Sequence, residues 1–145
     1  MDLVSANSEK VAEFLSQHPK VYQVDYLGLD SFPLHALAKK YMNLVDSDDG
    51  KGNEINRYGH LLSFRVDGPP QNARKVFDNL NLIFRATDLG RIKSVACIPA
   101  ISTHQQQGEE AREKAGIPPQ MIRLCVGAEN PDDIIADLDQ ALGSL

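Results

Sequence analysis

Met121-Ile122-Arg123-Leu124-Cys125-Val126 reads as a buried β-strand with a single charge at its centre. Alternation puts Ile122, Leu124 and Val126 on one face and Met121, Arg123 and Cys125 on the other. A guanidinium does not shed its proton and is costly to take out of water. Its apolar neighbours therefore require either an internal carboxylate partner or an anionic ligand. Arg123 is the leading candidate for a functional group in this chain.

Working outward, Asn130-Pro131-Asp132-Asp133 is a helix start, with a capping Asn, a Pro in the first turn and two acids at the positive end. Ile134, Ile135, Leu138, Ala141 and Leu142 then form its inner stripe. Upstream, Glu109 to Ala115 reads as a short charged helix closed by Gly116. Before it, Lys93 to Ile98 reads as a strand ended by Pro99, and Leu82 to Thr87 as a short strand broken by Asp88-Leu89-Gly90. Pro69-Pro70 open a helix with Ala73, Val76, Phe77 and Leu80 on one stripe, after a strand from His60 to Val66.

In the first third, Ser8 is expected to start a helix with Val11, Phe14, Leu15 and His18 on one face, which Pro19 ends. Val21 to Leu27 reads as a strand. Pro33 opens a helix through Met42 that turns Leu34, Leu37, Ala38 and Tyr41 inward. Asp46 to Glu54 reads as an exposed loop without the ligand spacing of a calcium loop. Strands that alternate with helices imply an α/β two-layer sandwich, with a mixed sheet and helices on one face. The other face is expected to be partly apolar and to pack against another domain or subunit.

The 145 residues fit one domain, with 42% hydrophobic side chains and a net charge of −5. There is no basic tract, so nucleic acid is not an expected partner. No apolar run approaches the roughly 20 residues a membrane span needs, and no leader pattern opens the chain, so a cytoplasmic protein is expected. Cys97 and Cys125 lie in apolar runs and read as core thiols. No Cys or His spacing suits zinc, and no metal site is expected. Gly-x-Ser-x-Gly, phosphate-loop and dinucleotide fingerprints are missing. His104 remains a lone loop histidine that suits acid-base work or simple exposure.

Ser94 to His104, then Ala115-Gly116-Ile117-Pro118-Pro119-Gln120 leading into Met121 to Gly127, then Asp132 to Leu138, resemble the C-terminal part of the Cys/Met-metabolism enzymes. This is the pyridoxal-phosphate (PLP) family of cystathionine gamma-synthase, methionine gamma-lyase and O-acetylhomoserine sulfhydrylase. Val11 to Leu15 and His18 to Val21 resemble the start of its small domain, so the likeness runs through nearly the whole chain.

The resemblance implies that residues 1–145 form a single substrate-binding domain with the mainly antiparallel sheet of the fold-type I small domain. It implies that Arg123 holds the substrate α-carboxylate. It also places Asp88 where the family has a small polar residue near the cofactor-bearing lysine and the substrate; there Asp88 would contact the substrate ammonium or the catalytic lysine, or cap a turn. The family's aldimine lysine and phosphate loop belong to its large domain, and none of the lysines here matches that lysine. The chain is thus expected to hold no cofactor and no catalytic residue of its own, while the parent enzyme uses PLP. Its expected partners are the large domain, in cis or in trans, and an amino-acid substrate, in a homo-oligomer. The alternative is a standalone, non-catalytic amino-acid-binding or protein-interaction module.

Overall fold

The computed structural model describes residues 1–44 and 48–145, and residues 45–47 only through their place in a strand. Its centre is a five-stranded sheet in the order β1 (Val21–Asp25), β4 (Leu61–Val66), β7 (Met121–Cys125), β6 (Val95–Cys97) and β5 (Phe84–Arg85). All neighbours are antiparallel except β5 and β6, which gives the expected mixed, mainly antiparallel sheet.

Three helices cover one face: α1 (Asp2–Gln17), α3 (Pro70–Asp78) and α5 (Pro131–Gly143). The register sets the core beneath them. Val24, Phe64 and Ile122 lie side by side across three strands, and Leu62, Leu124 and Ala96 form the next row. Phe64, Ile122 and Leu124 are fully buried, each contributing about 1.5–3 kcal/mol. Val11 and Leu15 of α1, Val76 of α3, and Ile134, Leu138 and Leu142 of α5 close on these rows. The Asn130 side chain accepts from the Asp132 N–H at 3.0 Å and caps α5 as its sequence requires.

Several elements depart from expectation. Ser8 does not start α1: it is fully buried inside the helix, with its hydroxyl donating to the Val4 carbonyl at 2.8 Å. A hydroxyl satisfied by the preceding turn is compatible with a helix interior. β1 stops at Asp25 because the chain turns there, with Leu29 N–H donating to Tyr26 C=O. The second helix, α2 (His35–Tyr41), buries Ala38 but leaves Leu34, Leu37 and Tyr41 more than half exposed, so its apolar side does not face this core.

The stretch expected as a loop is the tip of a two-stranded hairpin of β2 (Asn43–Asp48) and β3 (Glu54–Asn56). The Asp49 carboxylate accepts from the Lys51 and Asn53 amides and from the Asn53 side chain, which fixes the turn. The expected exposure of Asp46 and Ser47 lies outside the described side chains.

The second face of the sheet is only partly open. Val95, Cys97, Met121 and Cys125 are buried beneath the 86–94 loop and the 99–120 connection, which includes α4 (Glu109–Lys114). Along one row of that face, Leu61 and Phe84 flank Cys125 and Val95 and remain about half exposed.

Candidate functional site

Arg123 stands on the face of β7 away from the helices. Pairing aligns Asp25, Ser63, Arg123 and Cys97 as one row across β1, β4, β7 and β6. Above it lies a cavity of about 270 Å³ lined by Asp25, Leu61, Ser63, Pro99, His104, Ile117, Met121 and Arg123, with an edge of Leu62. The walls are mostly apolar, so a charge–charge contact inside is screened less than at an open surface.

The guanidinium is half-buried and donates to the Thr87 carbonyl at 2.7 Å. It pairs with no carboxylate among the described residues. The internal ion pair that would explain a buried arginine structurally is therefore not what holds it. One carbonyl bond leaves most of its five N–H donors free, and their planar fork suits a carboxylate.

The 86–94 loop brings Thr87 to Arg123 and turns at Gly90, whose φ of +74° favours glycine. Asp88 lies beside this contact, but its carboxylate pairs with Arg91 and does not line the cavity. The Asp88 backbone carbonyl approaches the Cys125 thiol at 4.0 Å. Both cysteines are buried and free, and burial pushes the Cys125 thiol up, partly opposed by the nearby Arg123 charge. That environment suits a packing thiol and not a nucleophile.

His104 reaches the cavity wall from the 99–120 connection, with Nδ1 against the Thr103 hydroxyl at 2.8 Å. Asp25 and Ser63 were not singled out by the sequence, because the register that sets them beside Arg123 is not local. The available signal was the alternation of Gln23 and Asp25 with Val24, and of Ser63 and Arg65 with Leu62 and Phe64, which marks a polar face on both strands.

A two-layer α/β domain with an arginine lining an apolar-walled cavity has a geometry that can take a small anionic ligand. The profile of the family described as Cys/Met metabolism PLP-dependent enzyme matches residues 1–143. The chain belongs to that family. It is 39% identical over 145 residues to the O-acetyl-L-homoserine sulfhydrylase of Leptospira meyeri, covering all of this chain and 30% of that protein. It is also 39% identical over 136 residues to an L-methionine gamma-lyase of Fusobacterium nucleatum subsp. polymorphum, covering 94% of this chain and 31% of that one.

Among solved structures, a Campylobacter jejuni protein assigned as an O-acetylhomoserine (thiol)-lyase, which contains a pyridoxyl-lysine monophosphate, superposes with a TM-score of 0.85 at 41% identity. That match covers 99% of this chain and 31% of the other. The chain therefore spans about a third of the length of the relatives it matches.

The family uses PLP, but the residues lining the Arg123 cavity do not fit that group by themselves. No lysine is among them to condense with its aldehyde. Lys20, the lysine tied to the helix layer, spends its ammonium on the Leu142 and Leu145 carbonyls near the end of α5.

Proposed function

We propose that this chain is the C-terminal, substrate-binding small domain of a PLP-dependent enzyme of the transsulfuration type, and that Arg123 binds the α-carboxylate of a sulfur amino acid or an activated homoserine. The observation that carries the reading is the Arg123 guanidinium, held by one carbonyl and facing an apolar-walled cavity without a carboxylate partner among the described residues. A PLP-binding large domain, in cis or in trans, supplies the cofactor and its lysine. This domain's share is to clamp the carboxylate, fix the orientation of the substrate and help exclude water.

Asp88 lies outside the cavity in its pairing with Arg91, and it becomes a second substrate contact only if its carboxylate swings away from that partner. Exchange of Arg91 for a substrate ammonium would give its carboxylate a new cation without leaving it unpaired. On this reading the isolated chain is not catalytic, and the complete enzyme is a cytoplasmic homo-oligomer. The half-exposed Leu61 and Phe84 suit a surface that meets another domain.

The test has two arms. Calorimetry of this chain with methionine, homocysteine and O-acetylhomoserine reads binding directly. Arg123→Lys and Arg123→Ala, introduced into a polypeptide that also carries the large domain, read catalysis. Loss of apparent substrate affinity and turnover supports the proposal, and unchanged values for both variants overturn it.

A further inference from the structure

Asp25 puts a negative charge into the same cavity as Arg123, two strands away in the same row, with Ser63 between them. Adjacent strands lie about 4.8 Å apart, so the two backbone positions are separated by about 10 Å. A ligand anchored at Arg123 by its α-carboxylate and lying along the floor of this cavity would carry its distal end over Ser63 toward Asp25.

The Asp25 carboxylate is held by its neighbours on the same face of the sheet. Oδ1 accepts from Gln23 Nε2 at 2.8 Å, while Oδ2 accepts from Arg65 at 3.3 Å and from the Ser63 hydroxyl at 3.4 Å. Arg65 lies in the neighbouring row, beside Gln23 and Met121. Its guanidinium is also engaged by the Gln23 side chain and by the Gly116 carbonyl at 3.5 Å, and it does not line the cavity. The cavity thus meets the anion of this pair, while the cation stands behind it.

We propose that Asp25 sets the charge specificity of the Arg123 cavity, admitting α-carboxylate ligands with an uncharged distal end and rejecting those that carry a second carboxylate there. The proposal rests on the reading of Arg123 as the carboxylate-binding group. A distal carboxylate would meet a like charge between the apolar walls of Leu61, Pro99, Ile117 and Met121, where repulsion is stronger than in bulk water. It would also find the Ser63 proton already committed to Asp25. Arg65 tempers the repulsion, so discrimination of about tenfold is expected rather than complete exclusion.

The experiment compares L-norleucine with L-2-aminoadipate, two six-carbon amino acids that differ only at the distal end. Each is titrated into the 15N-labelled chain, with the Arg123 side-chain N–H and the Ser63 amide as reporters. Norleucine is expected to shift both signals and to bind about tenfold more tightly than aminoadipate. Asp25→Asn is expected to narrow that ratio to about twofold by strengthening aminoadipate, and Asp25→Ser, which removes the same charge with a smaller side chain, to narrow it alike.

Equal affinities in the unsubstituted protein, or a ratio unmoved by both variants, overturn the role of Asp25 and leave Arg123 standing. If neither amino acid shifts the Arg123 signal, the carboxylate reading fails and this proposal fails with it.

Discussion

Gly127 donates its backbone N–H to the Ser94 hydroxyl at 2.9 Å, and so joins the end of the Arg123 strand to the loop that crosses over it. Glu129 completes the joint by accepting from the Ser94 amide at 2.7 Å and from its hydroxyl at 3.0 Å. Ala128 N–H donates to the Ile92 carbonyl at 2.8 Å. Arg123 meets Thr87 near the other end of the same loop, so the loop is fastened at both ends of its passage over the cysteine rows.

Gly127→Ala is expected to damage this joint. A Cβ at that position would stand 2.5 Å from both the Ile92 oxygen and the Ser94 nitrogen, and backbone atoms cannot rotate out of the way. A loss of about 1–3 kcal/mol is expected in urea unfolding, as for other overpacked sites. Amide exchange from residues 88–94 should quicken more than exchange from the core strands. Native stability in the variant would show that the loop is free to lift.

Arg123→Lys separates charge from shape. Lysine keeps the cation but loses the planar fork that can grip a carboxylate with two parallel bonds. Within a complete enzyme, a loss of about tenfold in kcat/KM is expected for Lys and of about a hundredfold for Ala, in line with one or two charge-assisted bonds. Unchanged kcat/KM in both variants would assign Arg123 a packing role.

Asp137 carries a charge on α5 and yet is only 6% exposed. Its carboxylate accepts from the backbone N–H groups of Asn81, Leu82 and Ile83 at 2.8, 3.0 and 2.9 Å, tying the segment between α3 and β5 to α5. Asp137→Ala would strand those donors, and about 2–4 kcal/mol of stability should be lost. Asp137→Asn keeps an acceptor but brings an NH2 group toward donors, so an intermediate loss is expected. A melting temperature unchanged in Asp137→Ala would show that water replaces the carboxylate.

What the sequence made legible was periodicity. The stripes of α3 and α5, the alternation in β4 and β7, and Asn130 as a cap are local patterns, and each holds in the structure. Arg123 was visible because a charge interrupts an apolar run. Asp25, Ser63 and Asp137 were not, because their significance comes from partners 38 to 98 positions away in the chain or 54 to 56 for the Asp137 amides. The helical stripe of Leu34, Leu37 and Tyr41 misled for a related reason: periodicity shows that a face is apolar and leaves open which surface it meets.

The two thiols give a simple probe of how closed the second face is. Cys97 and Cys125 are 3% and 2% exposed, and burial pushes Cys125 up. Neither is expected to react with a thiol reagent at neutral pH on mixing, and both should react fully in urea. Rapid labelling of the native protein would mean that the 86–94 loop opens readily and that Arg123 leaves Thr87 often.

Alkaline pH should weaken the fold through Tyr26. Its ring packs edge-on to Tyr58 with centroids 6.4 Å apart, and its hydroxyl lies 3.1 Å from the Gly59 carbonyl and 3.3 Å from that of Ser5. Burial comes first among the causes that push its pKa from 10.0 up to about 12, with the nearby Glu9 charge adding to the rise. Tyr58 is raised in the same direction by burial. Below pH 10 the phenol is protonated in both states and this contribution to stability is fully present. Between pH 10 and about 12 the unfolded chain loses the proton first, so it binds fewer protons than the folded one and stability falls as pH rises. Urea unfolding at intervals across that window should show the fall, and Tyr26→Phe should flatten it while leaving the smaller share of Tyr58. A slope unchanged in Tyr26→Phe would move the effect away from this phenol.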